Sequence, residues 1–109
     1  MAEKNDLLPG TLDLLVLRIL QRGEMHGWGI TSRLEQLSQQ VLQVDEGSLY
    51  PALYRMEDKG WIEAEWRVTE NSRRAKYYRL TRAGHRQLEK AQASWHRLST
   101  AIALVLESA

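Results

Sequence analysis

Residues 46–80 read EGSLYPALYRMEDKGWIEAEWRVTENSRRAKYYRL and contain the change of pattern that decides the fold. Before Gly60, apolar residues recur four and three positions apart, which is typical of one helix face: Leu49, Leu53 and Met56. Asp45 and Ser48 both suit the N-cap, so the helix begins at one of them. A start near Ser48 would place Pro51 in the first turn, where its missing N–H costs nothing. This stretch predicts a helix that ends at Gly60.

After Gly60 the period falls from 3.6 to 2. Apolar and charged residues alternate from Ile62 to Val68, which is typical of a half-buried strand. Residues 70–74 are turn-forming, and residues 75–80 can return as a second strand. The pattern predicts an antiparallel hairpin with basic residues at its tip and on its second arm.

Two helices are predicted before this stretch. Thr11, after the break at Pro9, suits the N-cap of a helix over residues 12–20 that is apolar on most faces and therefore buried. A second helix is expected from about Trp28 to Gln39. Its apolar stripe consists of Ile30, Leu34 and Leu37. His26 is expected to form a hydrogen bond at the entry of this helix.

A long final helix is predicted after Thr81, which suits its N-cap. Its apolar residues recur at spacings of three and four, as in a heptad repeat: Leu88, Ala91, Trp95, Leu98, Ile102 and Val105. Such a stripe on a chain of 109 residues needs a surface to cover it, and a second copy of the chain is the simplest one. We therefore expect a homodimer with this stripe as its interface.

The charge is unevenly distributed, although the net charge is only +1. Seven basic residues and one acid, Glu70, lie between Arg67 and Arg86. A local basic block on a nearly neutral domain is typical of an element that binds phosphates, and a solvated hairpin without a partner is the alternative.

The composition excludes several classes of function. There is no cysteine, so disulfides, cysteine zinc sites and thiol nucleophiles are absent. The three histidines lack the spacing of metal ligands, so we expect no metal site. No nucleophile elbow or phosphate-binding glycine loop occurs, so we expect no cofactor and no enzymatic activity. No apolar stretch approaches the roughly 18 residues of a membrane span, and no signal-peptide core occurs. We expect a bacterial cytoplasmic protein that binds no membrane.

The order of elements, three helices followed by two strands, predicts a winged helix-turn-helix fold, α+β but mostly α. Residues 1–80 would form the DNA-binding domain and residues 81–109 the dimerisation helix. A major groove about 12 Å wide admits one helix, here the third, and the hairpin would contact the adjacent backbone or minor groove.

Four stretches of this sequence resemble the PadR-type transcriptional regulators: LDLLVL at 12–17 with HGWGI at 26–30, EGSLYPALYRME at 46–57, GWI at 60–62, and RRAKYYRLTRAG at 73–84. The resemblance covers roughly residues 8–100 and is closest to the family's short subgroup, which has a single C-terminal helix. At the wing tip, Asn71 and Ser72 stand where many members have glycine, and Asn71 is a residue that tolerates a positive φ.

The resemblance implies a homodimeric repressor that binds operator DNA, with an inverted repeat expected from its two-fold symmetry. It places eight residues at the DNA: Ser48, Tyr50, Pro51, Tyr54, Arg55, Arg73, Arg74 and Lys76. In some short members a tryptophan on the last helix faces a gap at the dimer centre and stacks on flat aromatic ligands. Trp95 has the matching position, and its alternative role is a packed residue of the dimer seam.

Three of the residues on the predicted third helix could have structural roles instead. Tyr50 and Tyr54 could pack against the wing, and Arg55 could pair with Glu57 or Asp58. The whole fold could also serve protein or RNA interaction, because a fold does not fix a function.

Overall fold

The computed structural model describes residues 10–108. Within these residues, four helices and three strands follow one another: α1 (Thr11–Gln21), β1 (Met25–His26), α2 (Gly27–Leu37), α3 (Glu46–Asp58), β2 (Ile62–Val68), β3 (Arg74–Leu80) and α4 (Arg82–Glu107). The winged helix and its long C-terminal helix are thus confirmed.

The sheet has three antiparallel strands in the order β1-β3-β2, where the sequence predicts only two. Met25 pairs with Tyr78 and His26 with Tyr77, so the missed strand extends the hairpin on its β3 side. Two residues are too short for a period to be visible, which is why the sequence indicates only a helix entry at this point.

The core lies where α1, α2, α3 and the base of the hairpin meet. It consists of Val16, Leu17, Ile19, Leu20, Ile30, Leu34, Leu49, Ala52, Leu53, Met56, Ile62, Tyr78 and Leu88. Leu88 is fully buried within its own chain, so its assignment to the dimer interface is wrong. The first turns of α4 pack on the body of the domain, and only the later part of the heptad stripe is open.

Three predicted details at the helix ends also differ. Gly10, with φ 84°, is the N-cap of α1, and Thr11 is the first helical residue; Pro9 lies outside the described residues. The second helix ends at Leu37 because Gln39 and Gln40 adopt positive φ. Leu37, the last residue of α2, is exposed and does not continue the buried stripe.

The expected caps of the other helices are present. The His26 side chain accepts a hydrogen bond from the Gly29 N–H at 3.0 Å, and Thr81 does the same for Gly84 at 3.0 Å. Asp45 caps α3, with its Oδ1 2.9 Å from the Ser48 nitrogen. Pro51 therefore lies in the second turn of α3, not in the first, and leaves the Gly47 carbonyl without its helix-internal donor.

Candidate nucleic-acid interface

The outward face of α3 is polar and aromatic. Its inner side carries the buried residues of the core, and all five residues predicted to face DNA lie on its exposed side: Ser48, Tyr50, Pro51, Tyr54 and Arg55. At about 100° per residue, Tyr50 and Tyr54 lie on the edge of α3 next to the hairpin, and Ser48 and Arg55 on the opposite edge.

The two tyrosines differ in what they contact. The Tyr50 hydroxyl lies so close to Gly27 that a Cβ there would approach it to 2.7 Å, so Tyr50 packs on the start of α2. Tyr54 is mostly exposed, and the Lys76 ammonium group lies 5.5 Å from its ring centroid. The tyrosines thus occupy the space between α2, α3 and the hairpin, with the Tyr54 ring accessible.

Arg55 forms its ion pair with α1 and not with its own helix. Its Nη2 lies 2.5 Å from Asp13 Oδ1, whereas the sequence suggested Glu57 or Asp58 as partners. Half of the Arg55 side chain remains exposed beside this bond. Because a guanidinium has five N–H donors, the remaining ones can reach a phosphate or a base.

The basic residues of the hairpin divide into two groups. Arg67 and Arg79 project from the outer face of the sheet and pair with carboxylates there: Arg67 with Glu24 and Glu65, and Arg79 with Glu63. These bonds raise the pKa of both guanidinium groups, and the hydrogen bond from Arg67 lowers the pKa of Glu24. Much of the apparent positive charge is therefore neutralised on the face away from α3.

The second group lies on the inner face and at the tip. Lys76 donates to Glu57 at 3.2 Å, which ties the hairpin to the end of α3. Arg73 and Arg74 form no ion pair with any carboxylate of residues 10–108 and are exposed. The tip turn is closed by a hydrogen bond from the Ser72 N–H to the Thr69 carbonyl, with Ser72, and not Asn71, at φ 59°.

A concavity of about 510 Å³ separates α3 from the hairpin. Exposed aromatic and cationic side chains line it together, including Trp28, Tyr54, Trp66, Arg73 and Arg74. Beneath it, burial raises the pKa of Tyr78 to about 12, with the nearby Glu57 adding to the effect. Such a surface suits a phosphate backbone, which needs cations and hydrogen-bond donors without a deep apolar pocket.

Two tryptophans of this surface are not predicted as site residues from the sequence. Trp28 follows Gly27 in the first turn of α2, and Trp66 shares a face of β2 with the buried Ile62. The alternation in β2 predicts that Trp66 lies on the apolar face of a half-buried strand, but its side chain is 57% exposed. The position of Trp66 far from the buried end of β2 could have indicated its exposure, because the helices cover only the base of the hairpin's inner face.

The distal half of α4 carries an exposed apolar stripe. Trp95, Leu98 and Ile102 are 41%, 47% and 43% exposed, and Val105 is more exposed still. Ala91, Trp95 and Leu98 also line a cavity of about 470 Å³ between α4 and α1, and Asp13 and Leu14 form part of its opposite wall.

No group of three or more potential ligand side chains within residues 10–108 could hold a metal ion. No helix in the same part of the chain is long and apolar enough to span a bilayer.

Comparisons with known proteins agree with this geometry. The model of the transcriptional regulator PadR-like family matches residues 16–90. A transcriptional regulator of Mycobacterium tuberculosis is 33% identical over 86 residues, which cover 79% of this chain and 77% of that protein. The negative transcriptional regulator PadR of Bacillus subtilis is 29% identical over 77 residues, and the match spans 71% of this chain but only 42% of that protein. The crystal structure of a PadR-like transcriptional regulator from Bacillus cereus superposes with a TM-score of 0.78 at 31% identity, covering 92% of this chain and 95% of that one.

Proposed function

We propose that this chain, which belongs to the PadR-like family of transcriptional regulators, is a homodimeric repressor of an inverted-repeat operator. Members of this family bind DNA and are not enzymes. Residues 1–80 read the DNA and residues 81–109 hold the dimer together. Helix α3 enters the major groove through Ser48, Tyr50, Pro51, Tyr54 and Arg55. The wing contacts the flanking DNA through Arg73, Arg74 and Lys76.

The observation that supports the dimer most strongly is the apolar stripe of α4. Exposed side chains at heptad spacing on the distal half of a helix are costly in water unless another surface covers them. A second copy supplies a matching stripe, because a two-fold interface pairs a surface with itself. A two-fold dimer of this kind would supply two α3 helices, one for each operator half-site.

Repression is proposed because the Bacillus subtilis relative is named a negative regulator. An activator of the same fold would bind the same kind of operator. Fusing the gene's own promoter to a reporter, with and without the protein, distinguishes the two: repression predicts higher reporter expression when the protein is absent.

A double variant tests the dimer. Leu98→Glu with Ile102→Glu should give a monomer by sedimentation and should weaken operator binding with it, because two carboxylates cannot be buried unpaired in the seam. Leu104→Glu is the matched control, since Leu104 is exposed on roughly the opposite side of the same helix. An intact dimer in the double variant would overturn the interface.

A planar aromatic effector is the second candidate function, favoured by the position of Trp95 on the wall of the α1–α4 cavity. A flat ligand stacked on this ring would quench its fluorescence, and the quenching should disappear in a Trp95→Ala variant that is still dimeric. Unchanged quenching in that variant would assign the ring to dimer packing instead.

A further inference from the structure

Trp66 and Arg74 form a pair at the free end of the hairpin's inner face. The Arg74 guanidinium carbon lies 5.2 Å from the centroid of the Trp66 ring, which is within the range of a cation–π contact. Val68, directly opposite Arg74 in the register, is 70% exposed, whereas Ile62 at the base of the same face is 1% exposed. The inner face therefore leaves the helical body and ends in an exposed apolar and cationic surface.

The length of the hairpin sets which part of the DNA this end can reach. Six residue steps separate Ile62 from Val68, and at about 3.4 Å each they span about 20 Å. The adjacent minor groove lies about half a helical turn from the major groove, or about 17 Å along the duplex. With α3 in the major groove, the end of the hairpin can cross the intervening phosphates and reach that minor groove.

We propose that Arg74 is a specificity-determining residue that reads the flanking minor groove, and that Trp66 is a positioning residue that holds its guanidinium ready for entry. This inference rests on the proposed operator binding and goes beyond it by assigning a sequence preference. A narrow A·T-rich minor groove has an enhanced negative potential that attracts arginine, so A·T pairs are preferred there. Trp66 and Val68 contact the sugar walls.

Neither neighbouring cation combines an aromatic support with freedom from carboxylates: Lys76 lies over the Tyr54 and Tyr78 rings but has a carboxylate partner. The Lys76 ammonium group is engaged by Glu57, and Arg73 lies in the tip turn, where none of the aromatic rings among residues 10–108 supports its guanidinium through a cation–π contact. Arg74 keeps all its donors free of carboxylates in the same part of the chain. We assign phosphate contact to Arg73 and groove entry to Arg74.

The test uses the duplex that the protein selects from a randomised pool. In its flanks, adenines are replaced by 2,6-diaminopurine, which adds an amino group in the minor groove and leaves the major-groove pattern unchanged. The wild-type protein should bind the substituted duplex about tenfold more weakly than the selected one, a loss within the range that a mismatched base pair causes. Arg74→Gln and Trp66→Leu should bind both duplexes with similar affinity, whereas Trp66→Phe should keep most of the discrimination.

Arg73→Gln is the matched control: it should weaken binding to both duplexes equally and keep the tenfold ratio. The roles assigned to Arg74 and Trp66 are wrong if the wild type binds the selected and the diaminopurine duplexes with equal affinity, or if Trp66→Leu keeps the full difference in affinity. Operator binding itself would still stand in either case. If no duplex is selected at all, the proposed function itself fails.

Discussion

Replacing Gly84 by alanine should destabilise the fold, although alanine is the better helix former. Gly84 lies in the first turn of α4, against the backbone that enters the hairpin. A Cβ at this position would overlap the carbonyl oxygen of Trp61 and approach Leu80 Cδ1 to 2.7 Å. The same carbonyl accepts the Thr81 N–H at 3.0 Å, and the Thr81 hydroxyl caps Gly84.

The expected loss follows from these contacts. Displacing the carbonyl costs about 1 kcal/mol of hydrogen bonding, about 1 kcal/mol of capping and about 1–3 kcal/mol of overpacking. Removing a glycine from a helix returns about 1 kcal/mol. The net expectation is a destabilisation of about 2–4 kcal/mol, a large share of the 5–15 kcal/mol typical of a domain.

Urea unfolding followed by circular dichroism measures this, with all variants at one chain concentration because a dimer's stability depends on it. Gly47→Ala is the matched control, because a Cβ there meets only Asp45 Oδ1 at 3.5 Å. It should be neutral or stabilising by up to about 1 kcal/mol. Equal shifts in the free energy of unfolding for the two substitutions would contradict a steric cost at Gly84.

Three further predictions concern charge. Because the pKa of Tyr78 is raised to about 12, the folded state keeps a proton that the unfolded state loses near pH 10. The free energy of unfolding should therefore fall between pH 10 and 12, and it should fall less in Tyr78→Phe; equal pH profiles for the two proteins would contradict this. Arg73→Gln should reduce the slope of log affinity against log salt by about 2 per dimer. Arg79→Gln should leave the slope unchanged, because the Arg79 guanidinium is already paired with Glu63; equal slopes for the two variants would contradict this. A double-mutant cycle of Asp13→Asn and Arg55→Gln should give a coupling of about 0.5–1 kcal/mol in stability, and strictly additive effects would remove the α1–α3 link.

The elements predicted correctly from the sequence are those in which apolar residues repeat regularly over many positions. Helix α3, the hairpin and α4 each repeat their apolar residues over several turns or strand steps, and the capping residues Asp45 and Thr81 were visible beside them. The outward face of α3 followed directly, because residues out of phase with Leu49 and Leu53 must face away from the core.

The remainder depends on contacts between distant residues. Arg55 meets Asp13 across 42 positions and Arg67 meets Glu24 across 43, and no local pattern shows either pair. The same limit applies to Leu88, since a heptad stripe does not reveal where α4 leaves the body of its own domain. The sequence therefore showed how many cations the wing has but not which ones are already neutralised.

The number of chains bound to an inverted repeat decides whether the protein binds DNA as a homodimer. Sedimentation of the protein with its selected duplex should give two chains per duplex, and deleting one half-site should weaken binding steeply. Leu98→Glu with Ile102→Glu should lose the advantage of the second half-site. One chain per duplex, with equal affinity for a single half-site, would contradict a homodimer that reads DNA through two α3 helices.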